Sequence, residues 1–469
     1  MTLPTWLVQR VIFPLHERLR GRPTLREFAT LRHLAAQPPA VVQQDARQRL
    51  RALLLFAGAH LPHFTGLFLR GGVNAYADDV EAELRKLPVL TKADVRARAA
   101  LMTWRDVPGG ALPHASGGTT GDTLQFVIDR TRQAQDLGAR LFMQSLFGVL
   151  PGEPRLHLWG SPIEARGAAV KRWRDRLLNE RLLSAFELSP AQLDAHLKSM
   201  CDFRPRVVYG YPTALALLAR HAARRMRGEH FPWLRLIVVT GEEVSAAQVA
   251  QIQQTFGCPV AAEYGSREVG LIAHECPQGR LHVVWPHVHV DIAVGNEVVA
   301  PGTAGDVICT TLNTRAQPFL RYRVGDVGRR LPEPCPCGLP FPVMRLEGGK
   351  ITGFIALPAG RLCHGAVTSH VLRQEAGIRA FKTYQRSLTT FEVLLEVDDR
   401  FDSAAVERVR ARYRALFGPR VEVDCRIVDR IPPDPSGKRR YVVSDVAPTY
   451  TDFELVAPPE HAAAGDGAC

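Results

Sequence analysis

The chain has 469 residues, a formal net charge of +12, and 46% hydrophobic, 7% aromatic and 23% charged residues. That length exceeds a single core, so roughly two to four domains are expected, and the composition excludes a disordered or fibrous chain. No apolar run is long enough to span a bilayer, so no transmembrane segment is expected, and nine cysteines without an export signal argue against a disulfide framework and for a reduced, cytoplasmic setting.

The amino-terminal stretch Met1 to Arg22 mixes apolar and basic residues. Its longest apolar run, Val11 to Leu15, is too short for a signal-peptide core, which leaves a packed helix or one resting on a surface. Residues 24–100 read as mostly helical, with helical periodicity from Ala46 to His60 and Thr91 placed to cap the helix that follows it. The middle of the chain alternates. Arg206 to Tyr209, Leu234 to Val239 and Pro259 to Tyr264 read as strands, separated by helices opening at Pro212 and Ser245. That series predicts a parallel sheet with right-handed crossovers. After Leu281 short strands with Gly and Pro turns run to about Leu346. From Thr352 a smaller α+β unit is expected: a strand over Phe391 to Val397, a helix over Ala404 to Phe417 with Val406, Val409, Tyr413 and Leu416 on one face, and a strand over Val421 to Val428. The stretch from Ala457 is rich in Pro, Ala and Gly and is expected to be disordered.

Basic residues gather at Lys171, Arg172, Arg174 and Arg176, at Arg220 to Arg227, and at Arg408 to Arg414. Such patches suit nucleic acid, anionic lipid or a phosphate-rich cofactor, and most of them are read as solvated helix faces. No zinc-finger or RNP pattern accompanies them, so nucleic acid is not an expected partner.

Four segments carry chemistry. Ser116, Gly117, Gly118, Thr119, Thr120 and Gly121 precede a strand at Leu124 to Ile128. Glycines let successive amides converge on one anion, and the hydroxyls add donors, although a plain Gly/Thr turn has the same look. Glu263-Tyr264-Gly265-Ser266-Arg267-Glu268 follows a strand, where ligands of open α/β sheets collect. A tyrosine there can stack on a base and a glutamate can hold Mg²⁺, or the pair can simply end a strand. Asp326 follows a Gly turn in Arg321-Tyr-Arg-Val-Gly-Asp, as an acceptor for two ribose hydroxyls or as an ordinary turn aspartate. Lys438 sits in Pro432-Pro-Asp-Pro-Ser-Gly-Lys, a stiff loop presenting one ammonium.

In this order the four segments resemble the adenylate-forming superfamily, and within it the phenylacetate–CoA ligase branch with its CapK-like relatives. Leu87-Pro-Val-Leu-Thr-Lys92, Tyr209-Gly-Tyr-Pro212, Thr240-Gly-Glu242-Glu243 and Thr310-Thr-Leu312 are similar too, so the resemblance covers roughly residues 50–446. It implies an α/β fold: a large amino-terminal adenylate-forming domain with parallel sheets over residues 1–347, a small mobile α+β carboxyl-terminal domain over 348–446, and a tail at 447–469. It also implies that Ser116 to Gly121 bind ATP phosphates, Glu242 and Glu243 lie near adenine, Tyr264 stacks on it, Glu268 holds Mg²⁺, Asp326 binds ribose and Lys438 stabilises the adenylation transition state. The implied reaction activates a carboxylic acid, aromatic or otherwise apolar, and passes the acyl group to CoA or another thiol. A carrier-protein thiol or an amine is an alternative acceptor, and a non-catalytic nucleotide- or acyl-binding module is a further alternative.

The chain departs from the family pattern in three places. Arg267 stands where Thr usually precedes the glutamate, so that a cation lies near the phosphates or pairs with Glu268. Asp122-Thr123 replaces the usual Pro-Lys after the phosphate loop. At the hinge, Lys350 stands for Arg and no Asp follows, although a lysine does not reproduce the forked contacts of an arginine. Finally, Cys276, His282, Cys335 and Cys337 can supply a tetrahedral zinc site, with His274 close by in sequence. Four protein ligands would make it structural; free surface cysteines are the other reading. Cys258 and Cys309 sit in apolar runs and are expected to be inert.

Overall fold

The computed structural model describes residues 2–116, 124–159, 168–185, 188–226, 231–242, 244–347, 354–357, 361–372, 375–431 and 442–446. Lys438, Lys350, Glu243, Gly117 to Gly121 and the tail at 447–469 lie outside the described residues.

Leu112–Ala115 (β1) and Gln125–Ile128 (β2) form an antiparallel hairpin. Among the described residues, a 12-stranded sheet is the centre of the large domain. Its first half consists of Arg155–Trp159 (β3), Glu180–Ser184 (β4), Val207–Gly210 (β5), Leu236–Thr240 (β6) and Val260–Ser266 (β7), all parallel in the spatial order β4-β3-β5-β6-β7. This is the predicted strand–helix alternation. β6 is buried along its whole length. Ile237 and Val239 pack with Leu215, Leu218, Ile252 and Phe256 from the helices Pro212–Arg225 and Ala246–Phe256. Leu236 and Val238 face the opposite way, with Val149, Val207 and Ala261. A strand covered on both faces reads as an unbroken apolar run, as this one does.

The short strands after β7 continue the same sheet by antiparallel pairing. They are Gly270–Glu275 (β8), Leu281–Val283 (β9), Val288–Val294 (β10), Glu297–Val298 (β11), Gly305–Thr311 (β12), Tyr322–Leu331 (β13) and Val343–Leu346 (β14). They extend it in the order β7-β8-β9-β14-β13-β12-β10-β11. Sequence alternation identifies parallel crossovers but does not say whether later hairpins join the same sheet.

The smaller unit has a hairpin of Phe354–Leu357 (β15) and Arg361–His364 (β16), and a four-stranded sheet built from Ile378–Gln385 (β17), Thr390–Val397 (β18), Glu422–Ile427 (β19) and Val442–Ser444 (β20). The helix Ala404–Phe417 covers that sheet. Its buried stripe is Ala405, Val409, Tyr413 and Phe417. Val406 lies beside the stripe and Leu416 is exposed, so the predicted face is corrected by about one position. Phe417 draws the stripe because its ring stacks on Phe391, with centroids 5.1 Å apart.

Two predicted caps are present. Thr91 and Ser245 each form a reciprocal capping box, with Asp94 and Gln248 respectively. No single helix among the described residues is long and apolar enough to cross a membrane.

Candidate active site

A cavity of about 560 Å³ opens at the carboxyl ends of β6 and β7. Gly241, Glu242, Tyr264, Gly265 and Asp326 line it, so three of the sequence segments meet there although they are far apart along the chain. Gly241 ends β6 with φ +82°. A Cβ at this position would come within 3.1 Å of the Tyr211 ring and 3.4 Å of Trp159, so the turn and the close aromatic neighbours both require glycine. Trp159 and Tyr211 stack face to face, with centroids 4.0 Å apart and planes inclined by 14°. Glu242 is held at the mouth by Thr213, whose Oγ1 donates to Oε2 at 2.5 Å.

Tyr264 stands at the end of β7, and its hydroxyl donates to Asp326 Oδ2 at 3.0 Å. Burial, and then the neighbouring Asp326 carboxylate, push the phenol well above its ordinary value, so it stays a donor. Asp326 keeps its second oxygen for another donor. Gly265 cannot carry a side chain, because a Cβ would lie 2.6 Å from the Gly270 carbonyl oxygen. Ser266 Oγ accepts from the Val269 amide at 3.0 Å and shapes the turn that presents Glu268.

Around the buried Glu263 of β7 lies a cluster that sequence reading did not identify. Tyr209 donates to Glu263 Oε1 at 2.8 Å, and Arg140 Nε approaches both Glu263 oxygens at 3.0 Å. Burial opposes the charge on Arg140, but the Glu263 carboxylate outweighs it and drives the guanidinium pKa up. The Thr240 hydroxyl completes the lacing by donating to the Glu263 carbonyl at 2.8 Å. The cluster fixes the ends of β5, β6 and β7 relative to one another.

Glu268 is buried, and its cation is Lys92, whose Nζ lies 3.5 Å from Oε1. Arg267 turns away. It is exposed, and its Nη1 reaches the Ala115 carbonyl at 3.5 Å, beside the start of the Ser116 segment. Of the two sequence alternatives for Arg267, the ion pair with Glu268 is not formed, since Lys92 takes that place. Arg132, fully enclosed, donates to the backbone carbonyls of Arg267 and Glu268 and so anchors the turn from below. Ser116 is itself buried and clasps the neck of its loop. Its amide donates to the Leu124 carbonyl at 2.8 Å and its Oγ accepts from the Leu124 amide at 2.7 Å, leaving the hydroxyl proton to be donated.

An AMP-binding enzyme family model matches residues 184–314, which contain Glu242, Tyr264 and Glu268, and a CapK C-terminal domain model matches residues 356–445. Protein CapK of Staphylococcus aureus is 21% identical over 372 residues, covering 78% of this chain and 81% of that protein. The phenylacetate-coenzyme A ligase of Pseudomonas putida is 27% identical over 325 residues, covering 66% and 70%. Together these matches support an adenylate-forming protein of the phenylacetate–CoA ligase-like and CapK-like kind. Its fold is that of a solved 2-hydroxyisobutyryl-CoA ligase in complex with 2-HIB-AMP and CoA, with a TM-score of 0.57 at 19% identity over 88% of this chain and 91% of that one.

The cavity wall is continued by a thiol and imidazole cluster. Cys276, His282, Cys335 and Cys337 bring their ligand atoms within 4.8 Å of one another. Cys276 Sγ and Cys335 Sγ are 3.7 Å apart, and Cys337 Sγ is 3.3 Å from His282 Nε2. His282 Nδ1 lies 2.9 Å from the Phe341 carbonyl, which fixes the proton on Nδ1 and leaves the Nε2 lone pair facing the sulfurs. This donor set, and these separations, fit one tetrahedral zinc ion. His274, close by in sequence, turns its Nδ1 to the Glu275 carbonyl instead. Gly279, Arg280 and Leu281, between the first two ligands, line the nucleotide-sized cavity. Cys258 and Cys309 are buried, and burial pushes the Cys258 thiol up to about 12, in line with an inert role.

Proposed function

We propose that this protein is an AMP-forming ligase that uses ATP and Mg²⁺ to convert a carboxylic acid to its acyl-adenylate and then transfers the acyl group to CoA. The observation that carries this reading is the meeting of Gly241-Glu242, Tyr264 and Asp326 around one cavity, with Glu268 presented by the adjoining turn.

In this reading the Tyr264 ring forms a wall against adenine, and its hydroxyl orients Asp326 so that the free oxygen accepts from the ribose. Ser116 to Gly121 supply amide and hydroxyl donors to the phosphates, and Arg267 adds a cation beside that loop. Glu268 is a hard oxygen ligand whose protein contacts are long, which suits a carboxylate that also takes Mg²⁺. The ion would neutralise charge on the phosphates. Lys438 would meet the charge that develops as the carboxylate attacks the α-phosphate. Lys438→Ala should then lower adenylation by roughly two to three powers of ten while ATP affinity persists.

The stacked Trp159–Tyr211 pair beside Gly241 favours an aromatic or otherwise apolar acid. We assign the Cys276, His282, Cys335 and Cys337 cluster to a structural zinc that holds the cavity wall, because four protein ligands leave no open position for water. Thiolate ligands of this kind suit a reducing, cytoplasmic setting.

A second reading keeps the adenylation but changes the acceptor to a carrier-protein thiol or an amine. It is favoured by the hinge sequence, where Lys350 has no following aspartate. The test is ATP–pyrophosphate exchange over aryl, fatty and amino acids, followed by thioester formation with CoA. Exchange without CoA thioester selects the second reading, and ATP binding without exchange on any acid supports a non-catalytic module instead.

A further inference from the structure

The helix Ala168–Leu177 is turned inside out. Val170, Trp173 and Leu177 repeat at helical spacing on one face and are 79%, 68% and 47% exposed. Among the described side chains of this helix, the buried one is Asp175. A surface helix ordinarily does the reverse, burying its apolar stripe and exposing its charges. Arg172, Arg174 and Arg176 are exposed around the stripe.

The amino-terminal helix repeats the pattern. It runs through Thr5–Leu7, a π turn at Val8–Ile12, and Phe13–Leu19. Trp6, Val11, Leu15 and Leu19 are 63%, 48%, 54% and 79% exposed. The step from Trp6 to Val11 is one residue too long for an α-helix, and it falls on the π turn, whose wider repeat keeps Trp6 in line with the residues after it. Arg10, Arg18 and Arg20 are exposed on this helix, while its acid, Glu17, is buried against Arg22 and Thr24.

Residues flanking the two helices join them. The Asn179 side chain accepts from the Leu3 amide at 2.8 Å and donates to the Leu3 carbonyl at 3.0 Å. Leu178 shares a buried cluster with Val8 and Phe13. Both acids of these two segments, Glu17 and Asp175, are buried, so neither helix exposes a carboxylate beside its apolar stripe and its arginines.

We propose that these two helices form a docking face for an anionic lipid bilayer. Tryptophan and aliphatic stripes enter the boundary between headgroup and acyl chain, and arginines beside them pair with anionic headgroups. A second copy of the chain fits poorly, because it would set arginine against arginine. Single-stranded nucleic acid would use the tryptophans but leave the valine and leucine stripes in water. This inference is independent of the proposed reaction.

The experiment is flotation of the full-length chain with phosphatidylcholine vesicles and with mixed phosphatidylcholine–phosphatidylglycerol vesicles, at low and high salt. The expected result is binding to the mixed vesicles, weakened by salt. Each of two double variants, Trp6→Ser with Trp173→Ser and Arg172→Gln with Arg176→Gln, should lower the partition coefficient by roughly tenfold or more. All four side chains are exposed, so an unchanged thermal transition shows that folding is intact. No flotation with either vesicle, equal flotation with both, or flotation that neither variant alters would overturn the proposal. So would a lipid-free dimer in sedimentation velocity that the tryptophan variant dissociates, since that would assign the face to a second copy.

Discussion

Glu268 takes its counter-ion not from its neighbour Arg267 but from Lys92, whose Nζ lies 3.5 Å from Oε1 after a helix cap built on Thr91. If Glu268 takes Mg²⁺ as proposed, this ammonium competes with the ion for the carboxylate. Lys92→Met should therefore lower the Mg²⁺ concentration giving half-maximal pyrophosphate exchange by a few-fold, whereas Glu268→Gln should raise it and cut the maximal rate. A Mg²⁺ titration of both variants checks this; the same Mg²⁺ response in both and in the parent would remove Glu268 from the metal site.

Tyr264→Phe removes one hydrogen bond to a carboxylate and keeps the ring. Such a bond contributes about 1.5–3 kcal/mol, so KM for ATP should rise by roughly tenfold or more with kcat little changed. Asp326→Asn should cost more, because it weakens the tyrosine contact and the ribose contact together. A loss of kcat alone in Tyr264→Phe would contradict a binding role.

Protein purified without chelators should carry one zinc per chain by elemental analysis. Cys335→Ser should abolish that zinc and lower the melting temperature. It should also raise KM for ATP, since Gly279, Arg280 and Leu281 line the cavity between two of the ligands. Full stability and ATP affinity in a zinc-free protein would refute the structural role.

Burial, with Arg155 adding to it, lowers His157 from its ordinary value of 6.5 to about 4. Above pH 6.5 the ring is neutral whether the chain is folded or not. Between pH 6.5 and about 4 the unfolded chain binds a proton that the folded chain refuses, so stability falls as the pH drops, then levels off. In that window the stability of His157→Gln should fall less steeply than that of the parent, by about 1.4 kcal/mol per pH unit. Denaturant unfolding at a series of pH values measures the difference; parallel curves would show that His157 does not carry it.

Local grammar made much of this protein legible. The strand–helix alternation from Arg206 to Tyr264 announced the parallel half of the sheet, and the boxes at Thr91 and Ser245 announced two helix starts, because caps and periodicity involve near neighbours. Tertiary choices were less visible. Nothing near Glu263 in sequence indicates that Arg140 and Tyr209 enclose it, and nothing near Glu268 indicates Lys92. The stripe on Ala404–Phe417 shifted because a ring stack with Phe391 outweighs the periodicity of the helix alone. The inverted helix at Ala168–Leu177 looked like an ordinary basic stretch, since sequence does not say which face meets the protein. The cysteine cluster was legible in its members, but the tautomer of His282 depends on a distant carbonyl.

The measurement that bears most directly on the central claim is ATP–pyrophosphate exchange by the purified protein with Mg²⁺, across a panel of aryl, fatty and amino acids. The account predicts acid-dependent exchange, strongest with an aromatic or apolar acid and abolished with Glu268→Gln. Tight ATP binding with no exchange on any acid would contradict it.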